Sequence, residues 1–169
     1  MLHHMADPEA AWRGLLHLLA PGGVMKVALY SESARQDVVA VREMVGEGIG
    51  TLDLDDMRAL RKKIQALPED HPAKGVTREL DFYSLSGCRD LLFHRHEQRF
   101  DIPRLQAALT ELGLEFLGFE FTESRVMEAY RARHGDDPGG RNLANWAEIE
   151  AENPTLFRGM YQFWCRVKK

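Results

Sequence analysis

A Pro-Gly-Gly turn at residues 21–23 constrains the fold of this chain more than any other sequence feature. Before the turn, apolar side chains between Trp12 and Leu19 recur at i, i+3, i+4 and i+7, which predicts a helix that Asp7 can cap. After the turn, residues 24–30 form a short apolar run rich in strand formers, which is typical of a buried strand. A helix, a tight turn and an apolar strand in this order are the second half of an α/β unit, so we predict an α/β fold.

Two further strands and several helices are predicted downstream. Leu117, Phe119 and Phe121 share one face of a predicted strand over 115–121, and the alternating aromatic segment 160–167 is predicted to be the last strand. Helical spacing of apolar residues predicts further helices over 34–45, 57–67, 85–93, 105–112, 126–130 and 143–149. We therefore expect a thin sheet with many helices.

Two segments within this pattern are predicted to be connections. Gly46, Gly48 and Gly50 have the spacing of a glycine-rich cofactor loop, but they follow a predicted helix rather than a strand, which favours a flexible connection. The polar stretch 69–79 contains proline and glycine and is predicted to be a surface loop.

Composition limits the class of function. The 169 residues correspond to one domain, and no run of about 20 apolar residues could span a membrane. A formal net charge of −4, from 26 acidic and 22 basic side chains, argues against nucleic-acid binding. Cys88 and Cys165 lack metal-ligand spacing, so we predict free thiols in a cytoplasmic protein and no metal site.

The start of the chain carries a recognisable succession of motifs. Leu2-His3-His4 is followed by Asp7-Pro8, a leucine-rich helix and Leu-x-Pro-Gly-Gly at 19–23. This succession resembles class I S-adenosylmethionine-dependent methyltransferases, in which a Leu-His-His segment follows the fourth strand and the Pro-Gly-Gly turn leads into the fifth. Residues 81–86 and 153–164 resemble the C-terminal part of bacterial enzymes of this family that are often fused to tetratricopeptide repeats.

The resemblance covers nearly the whole chain and implies the C-terminal half of such a methyltransferase. The fold would be a partial Rossmann-like sheet of three strands, in the family's order 5-7-6 with the last strand antiparallel. Residues 1–169 would form a single domain, with residues 31–114 as a helical insertion between strands. The intact enzyme would transfer a methyl group from S-adenosylmethionine to an acceptor.

The same resemblance implies that the cofactor-binding half is missing. The family holds S-adenosylmethionine with a glycine-rich turn after the first strand and an acidic residue at the end of the second, and neither motif precedes the Pro-Gly-Gly turn here. We therefore assign no cofactor-binding residues, and we expect the chain by itself to bind no cofactor and to be inactive. A missing N-terminal half is an expected partner.

Four residues are implied to lie at the cleft of the intact enzyme. His3 and His4 would line it between cofactor and acceptor, where a histidine can accept a proton from the acceptor or orient it. Tyr30 and Ser31 end the predicted strand at the same cleft and would contact the acceptor. The alternatives are that the two histidines are leading residues without a role, and that the Tyr30 ring covers the end of the sheet.

The insertion supplies a second set of candidates. Family members build the acceptor pocket in this insertion, where the candidates are Tyr83, His94, His96 and Arg99. Aromatic, histidine and arginine side chains would suit a planar or anionic acceptor. The alternative for the segment that holds the two histidines is a solvated polar turn. Farther along the chain, we predict that Glu148, Glu150 and Glu152 form a solvated helix face.

The apolar strand 24–30 would be an exposed edge if the fourth strand is missing. Such an edge presents unpaired backbone groups and attracts another chain, so we expect self-association as a two-fold dimer. Two other classes of function stay open at this stage: a non-enzymatic protein-interaction module and a small-ligand-binding domain.

Overall fold

Two units make up the chain in the computed structural model, which describes residues 2–94 and 96–168. The first unit combines the described residues of 1–34 and 98–169, and the second unit is Arg35–Glu97. The second unit lies inside the predicted insertion 31–114, and the assignment of the whole chain to a single domain stays a prediction.

The first unit is built on a mixed four-stranded sheet in the described residues. The strands are β1 (Val24–Ser31), β2 (Arg99–Phe100), β3 (Leu114–Phe119) and β4 (Tyr161–Val167), in the order β2-β1-β4-β3. β4 runs antiparallel to both of its neighbours, and the short β2 runs parallel to β1. The predicted α/β class is therefore confirmed in its coarse form, but the prediction of three strands was wrong, because the short β2 adds a fourth strand beside β1.

Seven α-helices are found in the described residues, each close to a predicted one. They are α1 (Pro8–Leu16), α2 (Gln36–Val45), α3 (Leu54–Gln65), α4 (Leu85–Leu92), α5 (Ile102–Glu111), α6 (Ser124–Arg133) and α7 (Leu143–Glu152). Side-chain oxygens satisfy free backbone N–H groups at the start of five of these helices. The capping residues are Asp7, Asp53, Ser84, Asp101 and Asn142.

The core of the first unit lies on one face of its sheet. Leu29 from β1 and Phe163 from β4 are fully buried there, and α1 contributes Trp12, whose ring lies 5.9 Å from that of Phe163. Around Phe119 of β3, the rings of Trp146, Phe157 and other residues form an aromatic cluster. Trp146, Phe157, Tyr161 and Phe163 are therefore core residues, whereas Trp164 is 38% exposed.

The core of the second unit is helical. Val41 of α2, Ile64 of α3 and Leu92 of α4 are fully buried, together with the Phe82 ring. Its first and last residues, Arg35 and Glu97, form a buried ion pair at 2.7 Å.

Two predictions of local structure were wrong in part. The predicted loop 69–79 contains a 3-10 helix, Pro72–Arg78, because Ala73 and Val76 supply buried apolar contacts. In β3 a register shift between Phe116 and Gly118 interrupts the alternation, so that Phe116 and Phe119 are both buried and the predicted face of Leu117, Phe119 and Phe121 does not form.

The remaining connections and thiols agree more closely with prediction. The glycine-rich segment forms a 3-10 helix, Gly46–Thr51, that directly follows α2 rather than a strand. Cys88 and Cys165 are buried and free, as predicted, and burial raises the pKa of the Cys165 thiol to about 12. None of the helices in the described residues is both long and apolar enough to cross a bilayer.

Candidate functional site

The carboxyl end of β1 brings three of the predicted site residues together. A 3-10 turn, Leu2–His4, packs beside this end, and the His3 ring nitrogen Nδ1 lies 3.2 Å from the Ala28 carbonyl oxygen. The ring of His3 lies 4.3 Å from that of Tyr30 and 4.2 Å from that of His4, between centroids. His3, His4 and Tyr30 therefore form one cluster, and the role of the two histidines stays a prediction.

The hydrogen bond from His3 limits the chemistry of its ring. A carbonyl oxygen can only accept, so Nδ1 donates, and the neutral ring then has its acceptor lone pair on Nε2. That nitrogen is the atom of His3 that can take a proton. His3 is 5% exposed, whereas His4 and Tyr30 are half-buried, so a bound molecule would reach the cluster from the side of these two rings.

The short strand β2 completes this end of the sheet. Tyr30 pairs in register with Arg99, and Ser31 pairs with Phe100. Just before β2, the Gln98 N–H donates to the His3 carbonyl at 2.8 Å, which fixes the Leu-His-His turn. Arg99 thus lies next to Tyr30 in the sheet, and the segment 99–100 is a strand and not a solvated turn.

The charge of Arg99 is partly compensated. Its Nε donates to the Glu32 carboxylate at 3.0 Å, and both side chains are partly exposed. The backbone carbonyl of Arg99 accepts from Arg104, whose guanidinium lies 4.0 Å from the centre of the Phe100 ring. The Arg99 charge at this edge of the sheet is therefore shared with the Glu32 carboxylate.

The prediction of a solvated glutamate face on α7 was wrong for Glu150. This residue is 4% exposed, and its carboxylate accepts from the Ser31 hydroxyl at 2.6 Å and from the Tyr161 hydroxyl at 2.7 and 2.6 Å. Glu148 and Glu152 do lie on the exposed side, where both pair with Arg133. Helical spacing could have separated them, because Glu150 follows the buried Leu143 and Trp146 at i+7 and i+4.

Burial has the largest effect on the pKa of the Glu150 carboxyl group. Desolvation raises the pKa of Glu150 above the ordinary 4.5, against the hydrogen bonds from Ser31 and Tyr161, and the nearby Asp101 carboxylate acts in the same direction as burial. Desolvation and the adjacent carboxylate also raise the pKa of the Tyr161 hydroxyl. Ser31 therefore donates to a buried carboxyl group, a contact that no motif in the sequence indicates.

The other predicted acceptor residues belong to the second unit. Tyr83 is 54% exposed and donates from its hydroxyl to the Thr77 carbonyl at 2.9 Å. The His94 carbonyl accepts from Arg42 at 2.9 Å, and its ring nitrogen Nε2 lies 3.8 Å from Asp90. That Tyr83, His94 and His96 line a pocket with Arg99 stays a prediction.

No group of three or more His, Cys, Asp or Glu side chains that could hold a metal ion occurs in the described ranges. The fit of S-adenosylmethionine can be tested on the Gly46–Thr51 segment, which has the right glycine spacing. A Cβ added at Gly46 would meet nothing within 4 Å, although the φ of +72° at Gly46 is a conformation that favours glycine. That the chain by itself holds no S-adenosylmethionine stays a prediction.

An apolar groove runs along the free side of β1. Leu2, Leu15, Leu18 and Leu19 line it together with Met25–Ala28, around a cavity of about 460 Å³. Leu18 is 81% exposed. The predicted apolar face of α1 is thus only partly buried, because Trp12 enters the core while these leucines border the groove.

The chain is similar to part of a longer protein. An uncharacterized protein of Synechococcus sp. is 29% identical to this chain over 127 residues. The match covers 70% of this chain, and the chain spans about 30% of the length of that curated relative. No protein-family model matches the chain.

Proposed function

We propose that this chain is the C-terminal part of a class I S-adenosylmethionine-dependent methyltransferase, a cytoplasmic transferase in its intact form. The chain contributes the acceptor-side end of the cleft, and the rest of a longer polypeptide contributes the cofactor site. The observation that carries the proposal is the Leu-His-His turn, which lies against the carboxyl end of β1 with the His3, His4 and Tyr30 rings in one cluster. In open α/β sheets, ligands bind at this end of the strands.

The strand order supports the same proposal. β4 lies between β1 and β3 and is antiparallel to both. If β1 corresponds to strand five, β4 to strand seven and β3 to strand six, this arrangement is the family's order 5-7-6. The Synechococcus relative is more than three times as long as the part of it that matches this chain. This length agrees with the proposal that the chain is one part of a larger protein.

The residues of the cluster fit an acceptor that loses a proton during reaction. His3 can take that proton at Nε2, since Nδ1 is committed to the Ala28 carbonyl. The hydroxyl of Tyr30 can orient the acceptor by a hydrogen bond, and Arg99 can contact an anionic part of it. The half-buried His4 ring lies next to the His3 ring and so limits the space through which an acceptor can reach His3.

The proposal predicts where S-adenosylmethionine binds. We expect no micromolar binding to the chain as it stands, and micromolar binding once the chain is expressed together with the in-frame sequence encoded upstream of it. The reason is that about −8.2 kcal/mol, the free energy of 1 μM binding, requires the glycine turn and the ribose carboxylate. Isothermal titration calorimetry of both polypeptides measures this. Micromolar binding to the chain alone, or none to the extended polypeptide, would contradict the proposal.

The histidines can be tested in the extended polypeptide by methyl transfer to candidate acceptors. The His3→Ala variant should lower kcat by about 10²–10⁴, the usual contribution of a general base, and leave cofactor binding unchanged. His17→Ala is the matched control, because His17 is exposed beyond the end of α1. Equal rates in the two variants would remove His3 from the mechanism.

The groove favours a second candidate function, a protein-interaction module that self-associates through residues 24–30. The Ala28 carbonyl faces the side of β1 that is turned away from β4. In an antiparallel pair the backbone N–H and C=O groups of successive residues point to opposite sides of the strand. The backbone groups of Val24 and Lys26 therefore face the same side as those of Ala28. In the described part of the chain, the hydrogen bonds on this side involve only Ala28 and the stretch 30–32. Two copies that pair through β1 about Lys26 would satisfy the backbone groups of both strands at once. The Lys26 charge is already compensated, because its ammonium lies 2.6 Å from the Glu120 carboxylate.

Self-association predicts a dimer whose strength depends on the groove. The Leu18→Glu variant should weaken the dimer about tenfold or more, because each copy then places a charge where about 1.5–3 kcal/mol of apolar burial is expected. Sedimentation velocity over a concentration series measures the dissociation constant. Leu54→Glu is the control, since Leu54 is 51% exposed in the second unit. A monomer at high micromolar concentration would exclude this candidate.

A further inference from the structure

One carboxyl group joins two strands at the candidate site. The Glu150 carboxylate, on α7, accepts from Ser31 at the end of β1 and from Tyr161 at the start of β4. All three residues are at least 96% buried. Ser31 directly follows Tyr30, so this link acts on the same strand end that carries the Tyr30 ring.

The direction of these hydrogen bonds depends on the charge of Glu150. While the carboxylate is ionised, Ser31 donates its proton to Oε1, and its lone pair accepts from the Ala34 N–H at 3.1 Å. Ser31 thereby fixes the turn by which the chain leaves β1. A protonated Glu150 must itself donate at one oxygen, and one of the two hydroxyl groups then has to reorient.

The surroundings of Glu150 make its protonation responsive to pH. Among the described residues, the titratable or charged groups that face it are Tyr161 from β4 and Asp101 at the start of α5, while β1 contributes the uncharged Ser31. On its own helix, Glu148 and Glu152 point to Arg133. Neither Tyr161 nor Asp101 supplies a positive charge, and burial raises the pKa of Glu150.

We infer that Glu150 is a positioning residue of the candidate site, which holds the end of β1 through Ser31 and so keeps Tyr30 against His3. Protonation of Glu150 changes the position of the Tyr30 ring and with it the access to His3. The inference rests on the proposed function for the role of the cluster. Its test reads ring positions in the chain as it exists, so its failure is distinguishable from a failure of S-adenosylmethionine binding.

The test follows the ring signals of Tyr30, His3 and Tyr161 by NMR across a pH series. In the unaltered chain we expect the signals of Tyr30 and His3 to show an inflection at the pKa of Glu150, in addition to those of the histidines. Glu150→Gln should abolish this inflection. Ser31→Ala, which removes the hydroxyl that joins Glu150 to the end of β1 and to the Ala34 N–H, should abolish it at Tyr30 and keep it at Tyr161.

Glu148→Gln is the matched control, because it removes the same charge from the exposed side of the same helix and should leave every inflection in place. A purely structural Glu150 would change stability without changing the pH profile at Tyr30. The inference is overturned if Tyr30 and His3 keep the same pH profile in Glu150→Gln and Ser31→Ala. Ser31→Ala keeps the Glu150–Tyr161 contact, so the test survives if Glu150→Gln does not fold.

A second measurement checks that Glu150 titrates in the folded chain. Because its folded pKa lies above the unfolded value near 4.5, the folded state keeps a proton that the unfolded state has released. The stability of the unaltered chain should therefore fall, relative to Glu150→Gln, as pH rises from about 4.5 to the folded pKa. Urea unfolding at several pH values measures this difference. A difference that does not change with pH would contradict a titrating Glu150.

Discussion

Replacing Glu97 with alanine is expected to lower the free energy of unfolding of the second unit by about 3–5 kcal/mol, the usual cost of removing one partner of a buried ion pair. The Glu97 carboxylate accepts from Arg35 at 2.7 Å and 3.4 Å, and the side chains of Glu97 and Arg35 are only 1% and 7% exposed. The variant leaves a buried guanidinium charge without that carboxylate. Hydrogen exchange of the amides in α2 and α4 reports on this unit and measures the loss.

Two variants separate the ion pair from a general loss of packing. Replacing both partners with apolar residues, Arg35→Met with Glu97→Leu, should cost less than Glu97→Ala, because no buried charge is then left behind. Arg58→Ala is the exposed control, since its pair with Asp55 lies on the surface of α3 and should contribute less than about 1 kcal/mol. Equal losses in Glu97→Ala and Arg58→Ala would show that burial does not govern the pair.

The second large effect is expected for Trp146→Ala, which should destabilise the first unit by about 3–5 kcal/mol. Trp146 is fully buried, its ring stacks on that of Tyr130 at 4.2 Å, and it lies 5.5 Å from Phe119. Its Nε1 also donates to the Gly140 carbonyl at 2.8 Å, in the loop that precedes α7. The variant therefore leaves a large cavity and an unsatisfied carbonyl. Urea unfolding followed by circular dichroism measures the change.

Trp164 offers a matched control in the same unit. It is 38% exposed on β4, and its indole donates to Glu120 rather than to a buried group. Trp164→Ala should cost clearly less than Trp146→Ala, because most of its contacts are at the surface. If both variants lose the same stability, the aromatic cluster around Phe119 is not the main support of this unit.

The local elements could be predicted because their causes are local. Asp53 caps α3 through N–H groups two and three residues away, and Asn142 caps α7 through the N–H two residues away. The turn at 21–23 and the alternation in 160–167 likewise depend on neighbours in sequence. Their boundaries in the structure therefore lie close to the predicted ones.

The candidate site was predictable only in part. The resemblance singled out His3, His4 and Tyr30, and the structure brings their rings together. The role of Arg99 as a strand residue was missed, because a two-residue strand has no periodicity and exists only through its pairing with β1. Glu150 was missed because a glutamate between two others on a helix is usually solvated.

Glu150 and the bulge in β3 mark the boundary between local and tertiary information in this chain. Caps, turns and apolar spacing act within a few residues, so the sequence was sufficient for the helices, for β1 and for β4. Burial of Glu150 is tolerable only because Ser31 and Tyr161, 119 and 11 residues away, supply hydrogen bonds that replace water. Likewise, Phe116 and Phe119 are both buried because the pairing of β3 with β4 changes register between Phe116 and Gly118. Such choices depend on which distant groups meet, and that is decided only when the sheet and the helices pack.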